Sequence, residues 1–569
     1  MNDSEFDIDI EILVDSFTIP PDMCLSSKGD LVYTEDGLDN PLLAVFSSLI
    51  RGNESVILEN VKKVPDSMLI DLFILMFYTR DIREGNGERD LFYTLFSYLW
   101  KRAPSMCLKI VDLIPHYGSW FDMYRMFSKI DQPKITSSMC RTMDLYSPDD
   151  SKKDLLDSVV TTYVKQLILD YYNTLNGTSI SLAGKWAPRE GKHNHWFAKH
   201  ITTNETFKKV FPHMSPFSRY RKIVSTLNKV IKPVETYMCA DSTGCTRFKE
   251  IDFEKVPSLA MRKYRNAFMK CTTDEDRAEC SKRFYDYLDK VYKGNASING
   301  KLVYPHEFVI DVEKNRADED KLRVINAQWN DLVKSLREKG SIKNTVVMAD
   351  FSGSMSFTDH AGVCPIHVSM GLALLISEIT EDAFANTIIT FDSNPHMLTI
   401  PSGTLETKLK AFEGVSQGTS TNFQKALELV LDTLKRREVP IGSEPRQLIV
   451  LTDMGWDAAS DRMSSSRWES NISRMKRLFR EEGRAMWGED TEGWKPPVIV
   501  IWNLSGLYKN QFHHKATEEG VCLISCWNSN LIKQFMDGDD IVDLVTNPAK
   551  HMYSVLRSER YYAVMEALL

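Results

Sequence analysis

Five oxygen-bearing side chains on three loops set the first question: Asp350, Ser352, Ser354, Thr421 and Asp453. Asp350 closes the apolar run NTVVMAD, and Ser352 and Ser354 follow it in the loop FSGSMSF. Thr421 stands in GTSTNFQKAL, just ahead of a helical pattern, and Asp453 ends the apolar run RQLIVLTD. Two carboxylates and three hydroxyls, with no imidazole or thiolate among them, suit a hard divalent cation, Mg2+ most naturally and Mn2+ as a substitute. The three loops converge on one ion only where their strands are neighbours in one sheet. D-x-S-x-S also has a plainer reading as a helix N-cap, since Ser and Asp oxygens accept from the first free N–H groups of a helix. No histidine is placed by sequence to activate Ser352, and there is no G-x-S-x-G elbow, Walker loop or H-E-x-x-H helix. No catalytic residue is therefore assigned, and the chain reads as a non-enzyme.

A second constellation is electrostatic. The window 185–232 holds eleven Lys or Arg against two acids, Glu190 and Glu205, in a chain whose formal net charge is −8. Lys185, Arg189, Lys192, Lys208, Lys209, Arg219, Arg221 and Lys222, with His193, are the candidate phosphate contacts. Trp186, Trp196, Phe197, Phe207, Phe211, Phe217 and Tyr220 are interleaved with them. Cations that meet phosphates beside rings that stack on bases describe a surface for RNA, single-stranded or structured. The competing reading is a solvated helix face whose rings lie in the core.

Other clusters carry less. Cys239, Cys245, Cys271 and Cys280 are separated by spacings that fit no common zinc pattern. REGNGE lies between two helical patterns and reads as a turn, not as a phosphate-cradling loop. His116 in IPHYGSW and His306 in YPHEF sit among Pro and aromatic residues and read as packing residues.

The elements that must position these residues fall into two rhythms. With 569 residues, 43% of them hydrophobic and 26% charged, the chain is globular and too long for one core. SMLIDLFILMFYTRDI, RDLFYTLFSYLWKRA, DLLDSVVTTYVKQLILDYYNTL, PSLAMRKYRNAFMKC and SKRFYDYLDKVY carry apolar faces at helical spacing. Short connections and the absence of strand-like alternation predict paired helices stacked as a solenoid over residues 61–340. Residues 1–60 form an extension of mixed character. From 341 to 569, NTVVMAD, NTIITF, RQLIVLTD, PPVIVIWNL and GVCLISC are short β-branched runs separated by helical stretches. That alternation predicts a doubly wound α/β domain with a parallel sheet, where ligands bind beyond the carboxyl ends of the strands. Residues 313–343 read as charged helix running into a turn at Gly340, without the Pro, Ser and Gly of a flexible linker, which predicts that the two regions form one body. The acidic start MNDSEFDIDIEI lacks the features of a signal peptide, and no apolar run approaches the ~20 residues of a membrane span. Ten sparse cysteines then read as reduced thiols in a cytoplasmic chain with no membrane contact.

Asp350, Ser352, Ser354, Thr421 and Asp453 resemble the metal-ion-dependent adhesion site of von Willebrand factor A domains, D-x-S-x-S with a distant Thr and a later Asp. The resemblance implies a Rossmann-like A domain over 341–569 whose bound metal keeps one place open, often for an acidic side chain of a protein partner. An all-α, HEAT-like region followed by an A domain is similar in architecture to the Ro-type (TROVE plus A domain) RNA-binding proteins. RDIREGNGERDLFY, IPHYGSWFDM, KWAPRE, VPSLAMRKYR, YPHEFV, TDMGWDAA and VIVIWNL more specifically resemble the domain-of-unknown-function 2828 family of plants, fungi and giant DNA viruses. For a viral member the cytoplasm is the host's. That family implies no activity, so the expectation is an RNA-binding scaffold with a Mg2+ site, or alternatively a metal-dependent module that captures an acidic partner residue.

Overall fold

The computed structural model describes residues 23–25, 31–33, 40–130, 152–240, 243–340, 342–358, 363–381, 384–391, 395–415, 423–454, 471–505, 517, 519–535 and 547–569. Contacts divide it into two compact units, neither continuous in sequence. One comprises Pro65–Lys339, Asn528–Gln534 and Leu556–Leu569, the other Met1–Val64, Gly340–Trp527 and Phe535–Val555. These units cut across a division of the chain at residue 340: Met1–Val64 joins the later part of the chain, and Asn528–Gln534 and Leu556–Leu569 join the earlier part.

The first unit is helical. Helix α1 (Leu69–Arg80) is buried at every position from Leu72 onward, which its unbroken apolar run requires. It turns through REGNGE into α2 (Arg89–Arg102), which buries Leu91, Phe92, Leu95, Phe96 and Leu99 on one side. The turn is closed by backbone bonds from Asn86 to Tyr78, Gly87 to Asp81 and Glu88 to Thr79, at 2.8–3.0 Å. Two of its residues must be glycine: a Cβ at Gly85 would sit 2.1 Å from the Tyr78 carbonyl oxygen, and Gly87 has φ +70°. Helix α3 (Lys153–Leu175) then packs against α4 (His195–Thr203), α5 (Glu205–Lys209) and α6 (Pro216–Ile231). Helices α7 (Ser258–Met269), α8 (Glu275–Tyr292) and α10 (Glu319–Arg337) close over a core that includes Phe253, Phe268 and Phe284, while α9 (Pro305–Lys314) packs on α10. As its charge pattern predicts, the segment before Gly340 is helix, capped by the Asp318 side chain accepting from Lys321 N–H.

The C-terminal residues belong to this unit through a buried ion pair. The Arg560 guanidinium donates to both oxygens of Asp81, at 2.7 and 2.9 Å, and Asp81 is wholly buried. Tyr561 adds a hydroxyl bond to Asp81 at 3.2 Å and stacks on Tyr117 with ring centroids 5.6 Å apart. Asp81 follows α1 directly as its C-cap in RDIREGNGE, so the turn that this motif builds also seats residues 560 and 561.

The second unit is α/β. Strands β1 (Thr345–Asp350), β2 (Thr387–Phe391), β3 (Met397–Thr399), β4 (Gln447–Thr452), β5 (Val498–Asn503) and β6 (Val521–Ser525) form one sheet in the order β6-β5-β4-β1-β2-β3. All neighbours are parallel except β3, which runs antiparallel to β2 at the edge. The sheet is thus mixed where the sequence predicted a parallel one; MLT is too short to show an alternation of its own. Every residue of β1 and β4 is buried, as expected for central strands covered on both faces. The N-terminal helix Pro41–Ser47 packs on β6, with Ser525 Oγ donating to the Ser47 carbonyl.

Candidate functional site

The sheet brings β1 and β4 side by side, pairing Ala349 with Leu451, and this register puts Asp350 level with Thr452 at the carboxyl ends of both strands. Asp453 follows at once and is wholly buried, as is Asp350. Parallel strands leave a crevice beyond such ends, and the loops that leave them carry the polar groups. Asp350 Oδ1 accepts the Ser352 N–H at 2.8 Å, which folds the loop back on the strand. Its Oδ2 accepts the Thr452 hydroxyl at 3.1 Å, which ties the β1 and β4 ends together. Thr452 Oγ1 in turn accepts the Met454 N–H at 3.1 Å, and Met454 takes φ +73° to allow it.

The hydroxyls of Ser352 and Ser354 face each other at 3.0 Å. The short 3-10 turn Gly353–Ser356 takes no cap bond from the Ser352 side chain, although Ser352 occupies its cap position. The Ser352 hydroxyl thus faces that of Ser354, beside the Asp350 carboxylate, and does not cap this turn. Among the described residues no group of three His, Cys, Asp or Glu is gathered at a metal-binding distance. The donors at the strand ends are all oxygens, mostly hydroxyls, which is the chemistry a hard divalent cation accepts. Thr421 lies outside the described residues. Thr452, not singled out from the sequence, is the residue that orients Asp350; its place directly before Asp453 at a strand end was the available signal.

The basic window resolves differently. Of its eleven cations, nine are exposed: Arg189, Lys192, Lys199, Lys208, Lys209, Arg221, Lys222, Lys229 and Lys232. His193 is exposed with them. Lys185 is half-buried, its ammonium 5.5 Å from the Trp186 ring centroid. Arg219 is a correction to the sequence reading. It is buried at 4% exposure, and its guanidinium donates to the Met214 and Phe211 carbonyls at 3.0 and 3.4 Å. It caps the irregular 210–215 turn, where Phe211 has φ +53°, and is withdrawn from the exposed basic face. Lys208 pairs with Glu205 at 2.6 Å and Arg221 with Glu190, so both acids of the window are already used. The rings mostly turn inward: Trp196, Phe197, Phe207 and Tyr220 are buried. Phe217 is half-buried and stacks on His195 at 5.2 Å. Of the two histidines read as packing residues, His306 is buried and stacks on Tyr304, whereas His116 is exposed and accepts a bond from Arg560.

The observations define a class first: a two-unit chain, one unit helical and one α/β with a strand-end oxygen cluster. No helix among the described residues is long and apolar enough to cross a membrane. Two family models match it in tandem. Residues 129–342 match a domain of unknown function, DUF2828, and residues 344–560 match another, DUF7788. The DUF2828 resemblance read from sequence motifs is thus met in the helical region. The chain is also similar to an uncharacterized protein, L728, of Acanthamoeba polyphaga mimivirus, at 26% identity over 494 residues, covering 85% of this chain and 78% of the relative. Among solved structures, the Ro (RSR) protein of Deinococcus radiodurans aligns over 83% of this chain and 93% of its own, with 12% identity and a TM-score of 0.36, too loose a likeness to carry an argument.

Proposed function

We propose that this protein is a non-enzymatic RNA-binding scaffold whose helical unit holds the phosphate backbone and whose α/β unit carries a divalent-cation site. The observation behind the RNA reading is the segregation within residues 185–232. Nine cations stay in solvent while most of the interleaved rings sink into the core. Such a face meets phosphates and reads little sequence, because the rings that would stack on bases are spent on packing. Affinity should fall with salt at a log–log slope of about −0.7 per phosphate contact on a single strand. Reversing Lys208, Lys209, Arg221 and Lys222 to Glu together should weaken binding to unrelated RNAs alike and flatten that slope. Absence of RNA binding by the wild type at low salt would end the reading.

The strand-end cluster supports a second reading, an A-type domain that captures an acidic side chain of a protein partner through a bound metal. The order β6-β5-β4-β1-β2-β3 with an antiparallel edge supports that assignment. Asp350, Ser352, Ser354 and Asp453 would hold Mg2+ or Mn2+, which when bound supplies an electrophilic place for a carboxylate. Phe357, three residues past Ser354 in the same loop and 71% exposed, offers an apolar anchor for a partner. Metal that binds only the folded state adds about 2.7 kcal/mol of stability at a hundredfold excess over its Kd. Mg2+ should therefore raise the melting temperature of the wild type and leave Asp350→Ala and Asp453→Ala unmoved. Identical responses in all three proteins would refute the site.

A further inference from the structure

Between the first turns after α2 and the middle of α3 the helical unit opens into a groove of about 430 Å3. This is within the ~300–1,000 Å3 span of small-molecule sites. Its walls include Trp120 and Leu169 as apolar surfaces, and Asp112, His116, Lys165 and Gln166 as polar ones. Neither the strand-end cluster nor the exposed basic face contributes to it.

Each polar group has a fixed role. Gln166 Nε2 donates to Asp170 at 2.8 Å, so the amide is held with its Oε1 as the remaining acceptor. Asp112 takes the Thr162 hydroxyl on Oδ1, which orients its carboxylate and leaves Oδ2 as a second acceptor. Arg560 Nη1 lies 3.1 Å from His116 Nε2. A guanidinium only donates, so Nε2 accepts and the imidazole proton is on Nδ1. Partial desolvation of this otherwise exposed ring and the neighbouring Arg560 lower the His116 pKa, which favours that neutral tautomer. Lys165 is exposed and forms no ion pair among the described residues. Trp120 packs edge-to-face with Tyr163, ring centroids 5.3 Å apart at 81°.

We infer that this groove binds a nucleotide whose base carries an exocyclic amine. An indole and a leucine side chain offer apolar surface to a planar ring, two acceptors suit an N–H2 group, one neutral N–H serves a ring nitrogen or carbonyl, and an ammonium without an ion pair among the described residues meets the phosphate. Adenine and cytosine present that amine and uracil does not. The ligand is either a free nucleotide or one unit of an RNA chain; in the second case the inference rests on the RNA reading above and gives it its base-selective contact.

The test uses the full-length chain and titrates AMP, CMP and UMP by calorimetry or by NMR. AMP or CMP should bind more tightly than UMP. Lys165→Glu, a change on an exposed side chain, and Trp120→Ala should each weaken that binding by about tenfold or more, the scale of one stacked base or one phosphate contact. Lys165→Glu keeps the result readable if Trp120→Ala fails to fold, which circular dichroism melts will show. The quadruple Glu variant of the basic face should leave mononucleotide binding intact, so failure of the groove and failure of the phosphate face are separate results. Competition then distinguishes the sources: AMP that displaces a short RNA marks the groove as an RNA subsite, and AMP that binds without displacing it marks a free-nucleotide site. No binding of any mononucleotide at millimolar concentration, or binding untouched by Lys165→Glu and Trp120→Ala, overturns the inference.

Discussion

Removing the Arg560 guanidinium should unfasten the helical unit more severely than any surface change near it. Asp81 is 0% exposed and Arg560 12%, so the pair lies in a medium that screens it little. Asp81 accepts two bonds from Arg560, one from the Tyr561 hydroxyl at 3.2 Å and one from the Arg83 N–H at 3.0 Å. Arg560→Ala leaves the carboxylate buried with only the last two. Breaking a buried pair from one side costs about 3–5 kcal/mol, chiefly the penalty of the stranded charge. At about 2 °C per kcal/mol for a unit of this size, the helical unit should melt about 6–10 °C lower. Asp81→Asn keeps an acceptor oxygen but strands the cation, and should cost a similar amount. The double variant Arg560→Met with Asp81→Asn should recover much of the loss, because neither charge remains buried alone. Hydrogen exchange on peptides from residues 69–102 reads this unit apart from the α/β unit. Additive losses in the double variant, or a loss below about 1 kcal/mol in Arg560→Ala, would show that the pair is a surface-like contact and that the C-terminal segment is held by packing alone.

Two further outcomes follow from buried polar groups in the α/β unit. His551 is 3% exposed, and burial pushes its imidazole down to about 4. The folded state then binds fewer protons than the unfolded chain below pH 6.5, so stability falls as pH drops from 6.5 towards 4 and levels off beneath. The full span is about 3 kcal/mol, and His551→Gln should remove that part of the slope when denaturation midpoints are compared from pH 7 to pH 4.5; parallel slopes in variant and wild type would refute it. Thr452→Val deletes the hydroxyl that bonds Asp350 from the neighbouring strand and, on the proposed metal reading, should weaken Mg2+ binding by about 10–100-fold with the strand otherwise intact, read as a shifted midpoint in a Mg2+-dependent melting series.

Much of this molecule is written locally. Five of the six strands of the large sheet are legible as β-branched apolar runs because central strands covered on both faces must be apolar throughout. The run ending at Asp350 reads as a strand because its apolar residues are continuous up to the carboxylate, and the carboxylate itself is buried at the strand end. The long helices are legible for the same reason, their apolar faces being a property of each segment alone, and Gly85 and Gly87 mark their turn. The edge strand β3 is not legible: three residues held by pairing with β2 leave no pattern. Arg219 and Arg221 look alike in sequence, and only the 210–215 turn decides that one caps carbonyls in the interior while the other stays in solvent. The same holds for Trp196, for which the sequence left both a stacking platform and a core position open and which lies in the core. The partners of Asp350 and Asp81 were likewise beyond the sequence, since Thr452 is 102 residues away and Arg560 479. Residue type and spacing determined which segments would be helix or strand and which side chains had the chemistry to bind. Burial and long-range pairing, which depend on what the rest of the chain brings alongside, decided which of those side chains remained available to do so.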